Sequence, residues 1–448
     1  MASAVANKLM QRDLYLQQLD KNIGGFVIKG GFLGEQSGFS VASAGDVNGD
    51  GVDDLIVGAP YSDPGATVRA NAGRTYVVFG GTNAATINLS AVAGGTGGFV
   101  INGQGVSDSS GYSVAGVGDV NGDGLADLLV GAPYSDPGAT VRTDAGRAYV
   151  VFGKANTTAV ELSAVAPATG ASVGGFVING QCASDNSGWS VAGAGDVNGD
   201  GLADMLVGAN LADPSAGTSA GRSYVVFGKA DTLAVELSAV APSAGSATGG
   251  FVINGQSTPD QSGYSVMGAG DVNGDGLADL IVGAPYSDPG TTARTDAGRT
   301  YVVFGSAAAN SVNLSAVAAG TGGFVINGQS AGDNSGWRVA NAGDVNGDGL
   351  ADLVIGAPNS DPAGGASAGR TYVVFGKSSG TPIDLSAIAP AAGAGTGGFV
   401  INGQAASDNS GWSVASAGDV NGDGLADLII GAKSADSAAG IDAWPNTR

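Results

Sequence analysis

Asp-Val-Asn-Gly-Asp-Gly occurs six times, beginning at Asp46, Asp119, Asp196, Asp271, Asp344 and Asp419, at intervals of 73, 77, 75, 73 and 75 residues. So regular a spacing means that one structural unit has been copied six times. Repeat folds grow by adding units instead of separate cores, which overrides the usual division of a 448-residue chain into two or three domains.

Each unit runs through the same parts. Gly-Gly-Phe-Val-Ile-Asn-Gly-Gln is a short apolar run closed by glycine and reads as a strand. A second strand, such as Tyr112 to Gly118, leads into the acidic loop, and Leu128-Leu-Val-Gly-Ala-Pro133 is a third. A polar loop from Tyr134 to Gly146 precedes a fourth, Arg147 to Gly153, and a link containing Leu162-Ser-Ala-Val165 leads on. Gly 81 matches many tight turns, while 43% apolar residues argues against a disordered chain. Four short strands per unit, with no helix long enough for a parallel crossover, imply antiparallel blades. The expected architecture is all-β: a propeller of four-stranded blades, six in number, with seven as the lesser alternative. The sixth unit stops after Trp412 to Gly418 and Leu428 to Gly431, whereas the chain opens on an unmatched Phe26-Val-Ile28. These are complementary halves, so the N-terminal strand is expected to close the last blade and remove two exposed edges. Ile441 to Trp444, the Leu14 to Leu16 arm or another subunit would supply its remaining strand. The expected divisions are an arm over 1–23, the propeller over 24–440 and a tail over 441–448.

Within the loops, oxygens recur at every second residue. The first copy offers Asp46, Asn48, Asp50, the Val52 carbonyl and Asp54; the second Asp119, Asn121, Asp123, Leu125 and Asp127. The third offers Asp196, Asn198, Asp200, Leu202 and Asp204; the fourth Asp271, Asn273, Asp275, Leu277 and Asp279. The last two offer Asp344, Asn346, Asp348, Leu350 and Asp352, and Asp419, Asn421, Asp423, Leu425 and Asp427. Carboxylate, amide and carbonyl oxygens folded round a glycine turn suit a hard cation. Calcium takes six to eight such ligands and tolerates irregular geometry, whereas zinc would want nitrogen or sulfur. Asp/Asn/Gly turns also cap their own backbones. Yet three carboxylates crowded into nine residues repel one another without a cation, and all six copies keep them. Up to six Ca2+, one per repeat, are expected, each joining a strand to the next. The start of the loop resembles an EF-hand loop, but position twelve is apolar (Val130, Val282) and a strand follows.

With an aromatic after glycine (Phe39, Tyr112, Trp189, Tyr264, Trp337, Trp412), the acidic loop and Gly-Ala-Pro after the third strand, each unit resembles the FG-GAP repeat of integrin α-subunit propellers and their bacterial relatives. The resemblance covers about residues 24–440. It implies calcium held by loops on one propeller face, and a cell-surface or extracellular interaction module serving adhesion or assembly. Departures are the six loaded loops, where integrin propellers have seven blades and load only some, and Gly208-Ala-Asn210 and Gly431-Ala-Lys433 in place of Gly-Ala-Pro.

A net charge of −22, from Lys plus Arg 18 against Asp plus Glu 40, excludes nucleic acid and anionic membrane surfaces as partners. No stretch reaches transmembrane length, so membrane insertion is not expected. Met1 to Leu19 lacks the apolar region of a secretory signal, which leaves the export route open. Histidine is absent and the acids repeat in register, so no catalytic constellation emerges and an enzyme is not expected. Cys182 reads as a small neutral substitution. Arg74, Arg147, Arg222, Arg299 and Arg370 read as blade-to-blade salt-bridge partners, and the six aromatics as core. The Tyr-Ser-Asp-Pro-Gly loops from Tyr61, Tyr134 and Tyr286 are the expected contact surface for a protein or glycan partner. Self-assembly through the unfinished blade is a further expectation. The alternatives to an interaction module are a lectin-like propeller and a non-catalytic relative of propeller polysaccharide lyases or phospholipases.

Overall fold

A computed structural model describes residues 26–435, apart from 66–68, 82–85, 139–141, 169, 243–246, 291–293, 307–309 and 392–393. The expected arm and tail, including Leu14 to Leu16 and Ile441 to Trp444, lie outside the described residues.

The chain is all-β and builds six successive blades (I–VI), as the repeat implies. Their innermost strands are Ser40–Gly45, Ser113–Gly118, Ser190–Gly195, Ser265–Gly270, Arg338–Gly343 and Ser410–Gly418. Blade II is representative. Ser113–Gly118 pairs antiparallel with Asp127–Ala132, which pairs with Arg147–Val151, which pairs with Gly175–Asn179. The Gly-Phe-Val-Ile-Asn strand thus closes the blade before it as the outermost strand. A two-residue strand from the link, Val160–Glu161, adds parallel to the outer strand of blade I (Gly98–Asn102). One helical turn follows it, Leu162–Val165, and buries Leu162 and Val165.

The middle strands of each blade read as continuous apolar runs because a neighbouring blade covers each face. Leu128, Leu129 and Val130 are all fully buried, as are Tyr149 and Val150. The core is therefore a series of layers between blades: Leu129 and Val150 of blade II pack with Met205, Val207 and Tyr224 of blade III. Burying each such side chain stabilises by about 1.5–3 kcal/mol. Innermost strands carry Ala and Gly because they pack side by side around the axis. At every junction glycines let two backbones touch. The Gly111 N–H donates to the Gly131 carbonyl at 3.0 Å, and a Cβ on Gly131 would sit 2.1 Å from the Gly188 carbonyl oxygen of blade III. Gly131→Ala is therefore expected to lower stability by at least about 2 kcal/mol through overpacking against backbone. Calorimetric unfolding of the variant checks this, and an unchanged melting temperature would show that the junction relaxes freely.

Closure by the N-terminal strand is not seen among the described residues. Val27–Lys29 lies parallel to Thr86–Asn88 of the blade I link, the same relation that the outer strand of blade I has to the link after blade II. It takes the place of a preceding blade's outer strand, but it does not pair with the two strands of blade VI, Ser410–Gly418 and Asp427–Ala432. The outer flanks of the end blades are accordingly uncovered: Val41 is 68% exposed where its blade II equivalent, Val114, is 7%.

Two sequence expectations need correction. The six aromatics are not core. They form a half-buried rim at the axis, with successive ring centroids from Phe39 through Tyr112, Trp189, Tyr264 and Trp337 to Trp412 at 4.9, 4.8, 5.6, 4.8 and 4.9 Å. Their position at the start of the innermost strand leaves one edge of each ring facing the axis instead of a neighbouring sheet. Nor do the recurring arginines form salt bridges among the described residues. Arg147 donates to Asn179 Oδ1 and Gln104 Oε1, and Arg222 to Asn254 Oδ1 and Gln181 Oε1, because amides rather than acids stand opposite them. The ion pairs between units come instead from Arg69–Glu161, Arg142–Glu236 and Arg294–Asp384 at 2.8–3.0 Å. Each joins a polar loop to the acid that ends the next unit's link strand.

Candidate metal centre

Each Asp-Val-Asn-Gly-Asp-Gly loop joins the innermost strand of a blade to its second strand, at the end opposite the aromatic rim. The turn needs its glycines, since Gly122 and Gly124 have φ of 82° and 88°, a left-handed conformation that a side chain would strain. The curl this allows wraps the loop amides around the first carboxylate. Asp119 Oδ1 accepts from the N–H of Gly122 (2.7 Å) and Asp123 (3.1 Å), and Oδ2 from Gly124 (2.8 Å). Asn121 Oδ1 accepts from Asp123 N–H at 2.7 Å, and Asp123 Oδ1 from Leu125 N–H at 2.9 Å. The same pattern recurs in blades I, III, IV and V. In blade VI the first Asp keeps its three bonds, while Asn421 turns towards Asp427.

The ninth position differs in kind. Asp127 is fully buried, and its oxygens accept from Val120 N–H (2.9 Å) and Gly153 N–H (2.8 Å), tying the loop to the end of the blade's third strand. Asp54, Asp204, Asp279 and Asp352 are equally buried and bonded. Burial pushes the Asp127 carboxyl up to about 7, and Asp204 and Asp279 up to about 6, against the lowering effect of their two N–H bonds; the neighbouring loop aspartates push the same way as burial. At the solvent end the sign reverses. Asp46, Asp344 and Asp419 are held below the usual carboxylate range, first of all by the N–H of the sixth-position glycine.

The structure therefore brings the five predicted oxygens of each copy onto one short loop. It does not gather three carboxylates into a cage: among the described residues no three acidic, cysteine or histidine groups stand close enough together to hold an ion as they are placed. The donor chemistry nonetheless fits a hard cation. Every ligating atom is oxygen, Asp123 Oδ2 accepts from the Asn121 side-chain amide and from no backbone N–H of the loop, and a buried carboxylate carrying a raised pKa beside two more acids is a charge that a cation would relieve. Sequence reasoning placed the ninth Asp among the ligands without seeing that it is also the loop's anchor. Its invariance beside an apolar run was the available signal.

The profile of the FG-GAP repeat family matches residues 37–78, 110–151, 187–226, 262–303, 335–374 and 410–441. Among curated proteins, the chain is 37% identical over 114 residues to Integrin alpha-PS2 of Drosophila melanogaster, covering 25% of this chain and 8% of that protein. It is 37% identical over 188 residues to Phosphatidylinositol-glycan-specific phospholipase D of Bos taurus, 41% of this chain and 20% of that one. Integrin alpha-V of Gallus gallus is 29% identical over 260 residues, 55% of this chain and 20% of its own length. The match thus spans no more than a fifth of these three relatives. No helix among the described residues is long and apolar enough to cross a membrane.

Proposed function

Because the chain belongs to the FG-GAP repeat family, with six copies in one propeller array, we propose that it is a calcium-stabilised interaction module of the cell surface or extracellular space. The observation that carries this reading is the ninth-position aspartate, fully buried in five of the six copies and ionisable only at a cost, set beside a first-position aspartate at the solvent end and an exposed fifth-position one in the same loop. In the fourth copy Asp271, Asn273, Asp275, the Leu277 carbonyl and Asp279 would hold the ion, and equivalent residues would do so in the others. A bound ion would offset two of the loop's three negative charges and fasten the innermost strand to the second. The opposite face, with the aromatic rim and the polar loops after the second strands, is then left free for a protein partner. The integrin relatives support both the interaction role and the location. A catalytic role is not proposed: apart from Asp53 of the first copy, the acids of the loops repeat in register, and histidine is absent from the sequence.

Calorimetric titration with calcium tests the reading. Wild-type protein is expected to take up six ions, and Asp275→Ala five, with the remaining affinities unchanged. Six sites of similar affinity in the variant would refute the ligand assignment, and no binding heat at millimolar calcium would refute the calcium reading itself.

A further inference from the structure

Two residues break the repeat with positive charge, and both lie on the aromatic rim. Where the innermost strands of the other blades have Ser40, Ser113, Ser190, Ser265 and Ser413, blade V has Arg338. Where other units end their second strand in Gly-Ala-Pro or Gly-Ala-Asn, blade VI has Lys433. The arginine displaces a structural hydroxyl. Ser113, Ser190 and Ser265 each accept the N–H of a valine in the next innermost strand (Val191, Val266 and Val339), a bond that Arg338 cannot supply to Val414.

The guanidinium is half-buried beside the rim tyrosines: its electrostatic neighbours are the phenols of Tyr264 and Tyr112, the latter three blades away. Its hydrogen bond is to the Trp337 carbonyl at 3.4 Å, and among the described residues no carboxylate pairs with it. Lys433 Nζ lies 3.1 Å from the centroid of Trp412, whose ring is 4.9 Å from Trp337. The other arginines of the repeat are engaged with amides or link acids, and Lys154, Lys229 and Lys377 cover Phe99, Phe176 and Phe324 at the opposite ends of the blades. Arg338 and Lys433 thus make one cationic sector on an otherwise acidic molecule.

We propose that the sector of the rim formed by Arg338, Trp337, Trp412 and Lys433 is a docking site for a protein segment that presents a carboxylate beside an apolar side chain. Tryptophan, tyrosine and arginine gathered at the centre of an accessible face are the composition of interface hot spots. A guanidinium fits a carboxylate in two parallel bonds, and the tilted rings offer faces to the apolar part of the segment. This deepens the reading of the chain as an interaction module. It does not depend on calcium, because the metal loops lie at the other end of the innermost strands.

Rim tryptophan fluorescence tests the chemistry, with 3-phenylpropionate as probe and its amide as control, and panning of a random peptide library tests the occupant. Wild-type protein is expected to bind the acid at least about tenfold more tightly than the amide, as loss of a charge-assisted pair implies. Its selected peptides should be enriched in Glu or Asp next to apolar residues. Arg338→Ser and Lys433→Asn restore residues of sister blades, so they should keep the fold and the calcium-dependent melting temperature. Arg338→Ser is expected to lose both the preference for the acid and the peptide enrichment, and Lys433→Asn to weaken both. Equal binding of acid and amide, unchanged selection by Arg338→Ser, or tighter binding of methyl glucuronide than of any selected peptide would each overturn the proposal. None of these outcomes would alter the calcium titration, so failure here is distinguishable from failure of the calcium reading.

Discussion

Removing calcium with a chelator is expected to lower the melting temperature by on the order of 10 °C, and restoring it should reverse the loss. A ligand that binds only the folded state stabilises by about 2.7 kcal/mol per site at a hundredfold excess over its dissociation constant. In a domain of about 400 residues each kcal/mol moves the midpoint by roughly 1 °C, so about four such sites within one cooperative unit suffice. The physical source of the effect is the ninth-position aspartate, which the fold buries without an ion. It also sets a sign for the pH dependence. In the metal-free fold the Asp127 carboxyl keeps its proton up to about pH 7, whereas in the unfolded chain it releases it near 4. The folded state holds that proton more tightly, so this contribution is full below about pH 4 and fades as pH rises towards 7. In chelator the melting temperature is therefore expected to rise on going from pH 7.5 to 5.5. With calcium present the cation takes the proton's place, and acid should destabilise instead. Identical pH slopes in the two conditions, or no chelator effect, would remove the structural role assigned to the ion.

Asp127→Ala is expected to be the most damaging single substitution in a loop, costing about 2–5 kcal/mol even in chelator. It leaves the N–H groups of Val120 and Gly153 buried without their acceptor and cuts the tie between the loop and the third strand's end. Asp123→Ala offers the contrast. Its carboxylate is exposed and bonds only within the loop, so in chelator the variant should melt with wild type. In calcium it should lose the increment of one site. Denaturant unfolding of both variants with and without calcium separates anchor from ligand. If the two variants lost the same stability in chelator, the anchoring role of Asp127 would be wrong.

Much of this molecule is legible in its sequence because it is said six times. The period, the apolar runs bounded by glycine and the every-second-residue oxygens depend on local geometry alone. They identify the strands, their antiparallel order and the loop that joins the first to the second. Even the unbroken apolar character of Leu128-Leu-Val130 is a local sign of burial on both faces.

What the repeat conceals is whatever depends on the neighbouring blade. Arg147 looks like an ion-pair residue until the facing positions prove to be Asn179 and Gln104, and the ion pairs belong to Arg69, Arg142 and Arg294, whose partners lie about ninety residues on. The aromatic after each glycine looks like core until the strand start is seen to face the axis. Arg338 is inconspicuous in sequence because a single Ser-to-Arg change in a strand carries no signal of its own; only packing reveals that it stands beside tyrosines of two other blades. The outer flanks of blades I and VI are likewise a tertiary matter.

The sequence by itself determined the unit: its strands, its turns and the chemistry of its acidic loop, since those follow from dihedral preference and donor type over some ten residues. The tertiary structure alone decided which aspartate anchors and which faces solvent, because burial comes from the adjoining strand and blade. It also decided where two stray cations meet a rim of aromatic rings, a meeting of residues that are nearly a hundred positions apart in the chain.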